Sequence, residues 1–279
     1  VHIFYNKICE GVGPENFINK WSSSTDITLS TDFGVDELRA FVEKHPLHKK
    51  CAEIKFWTNF SECDISFLTD ITDLSVEGLT DCTLTLPTSV AALSMDVETK
   101  RVTVLGTENL TSLWTTHGSI RTTPCPKLQE FGWSGKTLSD STFPCPVSDL
   151  TMLSAMTVKA RYVDADFEFP DGLTSLDLKV FRGSVEGYHL SPLTRLQELT
   201  IDFDGPDSLD LSRMTTLTKL EACMSPVCSL PTSLVQCAVK LYSNYDFSDF
   251  TNLTSLSIDY DRLVFLKYPP GDLRVGWYR

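Results

Sequence analysis

What the sequence lacks narrows it first. No run of about 18 apolar residues occurs, so no segment has the continuity of a membrane-crossing helix. Positive charge is scarce: 24 lysines and arginines stand against 37 aspartates and glutamates, for a formal charge of −13 and a pI near 4.8. A nucleic-acid surface needs clustered Lys and Arg, and this balance argues against one. The common catalytic signatures are missing too, with no Gly-x-Ser-x-Gly, no phosphate-cradling Gly-x-x-x-x-Gly-Lys and no His-Glu-x-x-His. The expectation is a non-enzymatic chain without a cofactor. No succession of basic, apolar and small residues marks a signal peptide, and the chain opens at Val1.

What is there is a leucine pattern written over and over in two forms. One is apolar, Ser, any, apolar, Thr, any, apolar, as in Leu190-Ser191-Pro192-Leu193-Thr194-Arg195-Leu196, and it recurs from Ile65, Val147, Leu211 and Phe247. The other opens Leu86-Pro87, Phe169-Pro170 and Leu230-Pro231, with a weaker copy at Tyr268-Pro269. Both run into L-x-x-L-x-[L/I/V]. The middle apolar residue of that ending falls at Ile54, Leu74, Leu93, Leu113, Phe131, Met156, Leu176, Leu199, Leu220, Cys237, Leu256 and Leu273. These positions recur about every 20 residues, a period that defines repeat architectures. Alternation within x-L-x-L-x points the leucines to one side and the x positions to the other. One rung cannot bury its own leucines; stacked rungs bury them against each other.

A period near 20 with L-x-x-L-x-L inside it resembles the leucine-rich-repeat family, over roughly residues 51–279. The Ser form is similar to internalin-type repeats and the Pro form to L-P-x-x-L repeats. The family's asparagine, three residues past the last leucine, is replaced here by Phe181, Asp204, Ser225, Tyr242 and Asp261. The resemblance implies an α/β leucine-rich-repeat solenoid with a curved parallel β-sheet on its concave face. About 20 residues leave no room for a long helix, so the convex side is expected to carry short 3₁₀ or extended segments. Proline favours an extended return, because it fixes its own φ and restrains the residue before it. Ser and Thr favour local turns through their hydroxyls.

Residues 1–50 fit the period poorly and are expected to form an N-terminal cap. There, 27–30 and 52–57 read as strands, and about 35–45 reads as the one proper helix, with Val35, Leu38, Phe41 and Val42 on one face. Residues 51–279 are then about twelve repeats. The chain closes part-way through a rung, so a piece of a longer protein, or a last rung covered by a partner, is the expectation.

Smaller signals have plainer readings. His45, His48 and Cys51 have ligand-like spacing, but His and Lys at a helix C-terminus complement its dipole, so no metal is expected. Asp164 with Asp166 and Asp202 with Asp204 read as surface acids rather than a catalytic pair. Nine cysteines cannot all pair within the chain; Cys237 fills a leucine slot, and Cys63 and Cys82 are one period apart. Sequons stand at Asn59, Asn109 and Asn252. Free thiols lean the reading toward an intracellular location; glycosylated sequons would turn it to an extracellular or cell-surface one.

Function is therefore sought on the concave face. Its first rungs carry Glu53, Trp57, Asp73, Glu77, Asp96, Trp114 and Glu130, an acidic strip with two tryptophans, while later rungs mix both signs. Aromatic anchors ringed by polar groups are enriched in binding hot spots. The expectation is a protein–protein interaction module for a basic or mixed-charge protein partner, as a recognition part of a larger protein. The alternative is a secreted or cell-surface adhesion or receptor ectodomain.

Overall fold

The computed structural model describes residues 2–5, 26–31, 35–36, 39, 43, 51–56, 61–97, 101–116, 119–138, 150–163, 167–180, 190, 193–203, 209–241, 244–260, 266–269 and 273–277. Two units make up the chain, Val1–Trp133 with Asp140–Met152, and Ser134–Ser139 with Leu153–Arg279. In each, parallel strands stack as a β-solenoid.

The first unit holds β1 (His2–Tyr5), β2 (Asp26–Thr31), β3 (Cys51–Phe56), β4 (Glu62–Asp64), β5 (Asp73–Glu77), β6 (Cys82–Thr85), β7 (Ala92–Asp96), β8 (Arg101–Leu105), β9 (Ser112–Thr116) and β10 (Ser119–Thr122). β11 (Glu130–Leu138) begins in this unit and runs out of it. The main sheet takes the order β1-β2-β3-β5-β7-β9-β11. Leu74, Leu93 and Leu113 are Cα partners across β5, β7 and β9, each at most 3% exposed. The sheet also takes in the segment expected as a cap, where β1 and β2 pair in parallel with each other and with β3.

The second unit contains β12 (Ala155–Val163), β13 (Ser175–Val180), β14 (Glu198–Phe203), β15 (Leu209–Asp210), β16 (Lys219–Ser229), β17 (Gln236–Leu241), β18 (Tyr245–Asp246), β19 (Ser255–Tyr260), β20 (Leu266–Lys267) and β21 (Arg274–Trp277). Its main sheet runs β12-β13-β14-β16-β17-β19-β21. One unbroken inward column passes through Met156, Leu176, Leu199, Leu220, Cys237 and Leu256. The repeat period thus sets the register. It slips at both ends: Leu74 is partnered by Ala52 rather than Ile54, and Leu256 by Val275 rather than Leu273.

Away from the main sheets the return segments are more regular than expected. In the first unit β10-β8-β6-β4 form a second parallel sheet, burying Cys63, Leu84 and Val104 in register. Among the described residues of the second unit only the short pairs β15–β16 and β18–β20 form there. Among the described residues these stretches are strands and turns, with no 3₁₀-helix. β-branched residues such as Val102, Thr103 and Val104 suit this pleated, half-buried surface.

The two repeat forms turn the chain differently. In the Ser form, consecutive i+3 hydrogen bonds link the three apolar positions: Leu68 N–H donates to Ile65 at 3.0 Å and Ile71 to Leu68 at 3.4 Å, and Leu211, Met214 and Leu217 repeat this. In the Pro form there is a single such bond, from Val90 to Pro87, Leu173 to Pro170 and Leu234 to Pro231. An aspartate two residues earlier takes part in the Ser turns: the N–H groups of Ser66, Ser212 and Ser248 donate to Oδ1 of Asp64, Asp210 and Asp246, each at 3.0 Å, and the serine side chains bond the same aspartates. The serine side-chain bonds first, and then the backbone ones, favour the carboxylate form and hold Asp64 and Asp210 below the usual aspartate range. Asp246 is lowered first by Lys267, whose Nζ lies 2.8 Å away, and then by Ser248.

The helix expected over 35–45 lies largely outside the described residues; Val35, Asp36, Arg39 and Glu43 are helical. Arg39 bonds Asp64 at 3.0 Å and places its guanidinium 4.9 Å from the centre of the Phe67 ring. No helix among the described residues is long and apolar enough to cross a membrane.

Candidate functional site

Because inward positions of the main sheet are filled by apolar columns, the alternate residues line up outward, about 4.8 Å from strand to strand. In the first unit this gives three outward columns. The first runs Asp73, Ala92, Ser112. The second runs Ser75, Ser94, Trp114, and the third Glu77, Asp96, Thr116. The hydrogen bonds between rungs carry the columns on to β11. Thr111 and Ser112 N–H share the Ala91 carbonyl, and Gln129 and Glu130 N–H share that of Thr111 in the same way. Glu130 therefore follows Ser112, and Gly132 follows Trp114.

Five of the seven residues expected at the site fall on this surface with described side chains. Asp73, Asp96, Trp114 and Glu130 are exposed and Glu77 is half-buried. Glu77 and Asp96 are direct strand neighbours, so two carboxylates face each other across one pleat spacing. Asp96 accepts a hydrogen bond from the Thr116 hydroxyl, and Asp73 one from Thr72 at 2.7 Å. Asp73 and Glu130 lie at opposite ends of the first column, with Ala92 and Ser112 between them. The acids are thus a neighbouring pair and two flanking charges rather than one patch.

Of the remaining two, Glu53 is shifted along the sheet and Trp57 is not described. Register places Glu53 in line with Ser75, not Asp73, and Lys55 in line with Glu77, because β3 pairs two residues away from the repeat marker. Trp57 lies outside the described residues. So do His45, His48, Asp164, Asp166 and Asp204, and the asparagine substitutes Phe181, Tyr242 and Asp261, while Ser225 falls within β16. No group of three or more His, Cys, Asp or Glu with metal-holding geometry occurs among the described residues.

Gly132 is the residue sequence reasoning passed over. A Cβ built on it would lie 2.2 Å from Cε3 and 2.3 Å from Cδ2 of Trp114, nearer than real Cβ contacts come. The indole therefore occupies the volume a side chain at 132 would need and lies down over the strand. Trp114 still keeps 45% of its surface exposed, and it stands among Ser94, Ser112 and Gly132. The one available signal was a glycine inside a strand, where it weakens pairing and often marks a close approach.

In the second unit the outward columns mix both signs instead. Lys159, Lys179 and Asp202 are successive strand neighbours, and Lys219 bonds Glu198 at 3.4 Å. Among them, Asp177 has its Oδ1 buried without a hydrogen-bond partner. Burial pushes its carboxyl above the ordinary value, with Lys179 and Lys159 pulling the other way. No protein-family model matches the chain, and no curated protein matches it.

Proposed function

We propose that the chain is a non-enzymatic protein–protein interaction module that takes a basic or mixed-charge partner on the outward face of the main sheet in its first unit, as a recognition part of a larger protein. The observation that carries this is the contrast between the units. On the first unit's face the acids Asp73, Glu77, Asp96 and Glu130 surround an exposed tryptophan, with Lys55 in line with Glu77, whereas the second unit's face mixes lysines with acids throughout. Complementary charge speeds encounter more than it deepens affinity. Phosphodiester polymers do not suit a chain of charge −13. The repeats are assigned to the leucine-rich-repeat type, on the in-register L-x-x-L-x-L rungs; the second sheet of the first unit is an addition to the expected pattern.

Panning the chain against a random peptide display library tests the reading. Enriched peptides should be basic, their association should slow as salt rises, and Asp73→Lys with Glu77→Lys should lower the on-rate. Enrichment of peptides indifferent to those substitutions and to salt would refute it. The secreted or cell-surface reading is favoured by one observation, the exposed Asn252 at a turn within its sequon. Intact mass of the natively expressed protein decides between the two, since a glycan at Asn252 removes the intracellular lean.

A further inference from the structure

Glycine in a strand interior usually answers a backbone need, but among the described residues the positive-φ glycines are Gly78 and Gly106, and Gly132 is not one of them. Its reason is the ring above it. With Cε3, Cδ2 and Cζ3 of Trp114 all within 2.6 Å of where a Cβ would sit, any other residue at 132 would push the indole off the sheet. Gly132 makes the tryptophan lie flat, with its inner face against β11 and its outer face toward solvent. A ring held this way gives up little rotamer freedom on binding, which is a cost that unheld side chains meet at an interface.

The charges around it are placed for a cation. Glu130 precedes Gly132 by two residues on the same face of β11, at about 7 Å along the strand. Asp96 lies diagonally on the other side, about 8 Å away between Cα atoms. An electron-rich ring face with a carboxylate at its rim matches one side chain best. A planar guanidinium stacks on indole and offers its edge N–H groups to a carboxylate, whereas an ammonium is a hydrated point charge and a sugar ring brings no charge to the acidic columns.

Resting on the interaction reading above, we propose that Trp114 laid on Gly132 is a preformed platform for one arginine side chain of the partner, which stacks on the outer indole face while Glu130 accepts its N–H groups. Gly132 is then a positioning residue, acting through the ring it allows to lie down.

The test uses the full chain and three short synthetic peptides of identical spacing, bearing arginine, lysine or citrulline, with neutral oligosaccharides as a fourth probe. Calorimetry should rank arginine above lysine, and citrulline should lose about tenfold or more against arginine. Trp114→Ala and Gly132→Ala should each weaken the arginine peptide by about tenfold while far-UV circular dichroism at the assay temperature stays that of the folded chain, since neither residue belongs to the inward leucine columns. Trp114→Phe should recover part of the affinity. In spectra of the ¹⁵N-labelled protein, the Trp114 indole N–H signal should move with the arginine peptide and not with citrulline. Equal binding of citrulline, binding of the oligosaccharides alone, no binding in the millimolar range, or affinity untouched by Gly132→Ala would each overturn the platform. Arginine-peptide binding that survives both substitutions yet falls with Asp73→Lys and Glu77→Lys overturns the platform and leaves the interaction reading standing. Binding indifferent to all four sinks both.

Discussion

Leu176 and Asp177 are consecutive residues on opposite faces of β13, and they should respond to substitution with opposite signs. Leu176 is 1% exposed and sits in the inward column between Met156 and Leu199. Leu176→Asp removes a buried side chain, a loss of about 3–5 kcal/mol for comparable truncations, and adds a carboxylate without a partner. Against a domain stability of about 5–15 kcal/mol, that is enough to unfold a large share of the protein. Asp177 faces outward, but its Oδ1 is buried without a hydrogen bond and its carboxyl is raised by that burial. A carboxyl with a raised folded pKa binds its proton more tightly when folded. Its charge therefore costs nothing below the unfolded value of about 3.9, costs stability progressively as pH rises from there through the raised folded value, and costs a constant amount above it. Asp177→Asn should thus be neutral to stabilising at pH 7 and indistinguishable from wild type near pH 3. Urea unfolding followed by far-UV circular dichroism at both pH values measures this, with the slope checked, since a solenoid that opens at one rung unfolds in parts and lowers it. Equal losses for the two substitutions, or an Asp177→Asn effect that does not grow with pH, would refute the assignment of faces.

The aspartate-initiated turns make a second test. Asp210→Ala should cost at most about 1 kcal/mol and Asp210→Asn, which keeps an acceptor oxygen, less. Because Asp64 and Asp210 are lowered, their contribution is present above the ordinary aspartate value and is lost as pH falls through the folded one; double Asn replacement should flatten the acid limb of the stability curve, and an unchanged limb would show that the turn bonds do not matter. The thiols make a third. Burial first, then Cys82, pushes Cys63 up to about 12, and burial pushes Cys82 to about 11. Cys63 stands opposite Leu84, so Cys82 is offset by two residues and about 8 Å away between Cα atoms, too far for a disulfide. Folded protein should react slowly with thiol reagents at both sites and form no Cys63–Cys82 bond under mild oxidation; a rapidly formed bond would show the register to be wrong.

Period and alternation were enough to specify much of this protein. A repeat near 20 residues with two apolar positions per rung has few solutions, and the inward columns through Leu74, Leu93 and Leu113 and from Met156 to Leu256 follow it in register. The acids of the outward columns were legible for the same reason, since inside and outside alternate with certainty once the leucines are placed. What a local pattern cannot carry is the relation between rungs. Ala52 and Ile54 are both apolar, so only pairing with β5 decides which one meets Leu74, and hence where Glu53 lies. The second sheet of the first unit arises because short segments such as Cys82–Thr85 and Arg101–Leu105, unremarkable alone, are brought side by side by the stacking and satisfy each other's backbone groups. The aspartates ahead of Ser66, Ser212 and Ser248 were in plain view, but acid residues are common in this chain and only the hydrogen bonds separate those that build turns. The platform is the clearest case: Trp114 and Gly132 are 18 residues apart in sequence, and the reason for that glycine is a ring that reaches it only when the rungs are stacked.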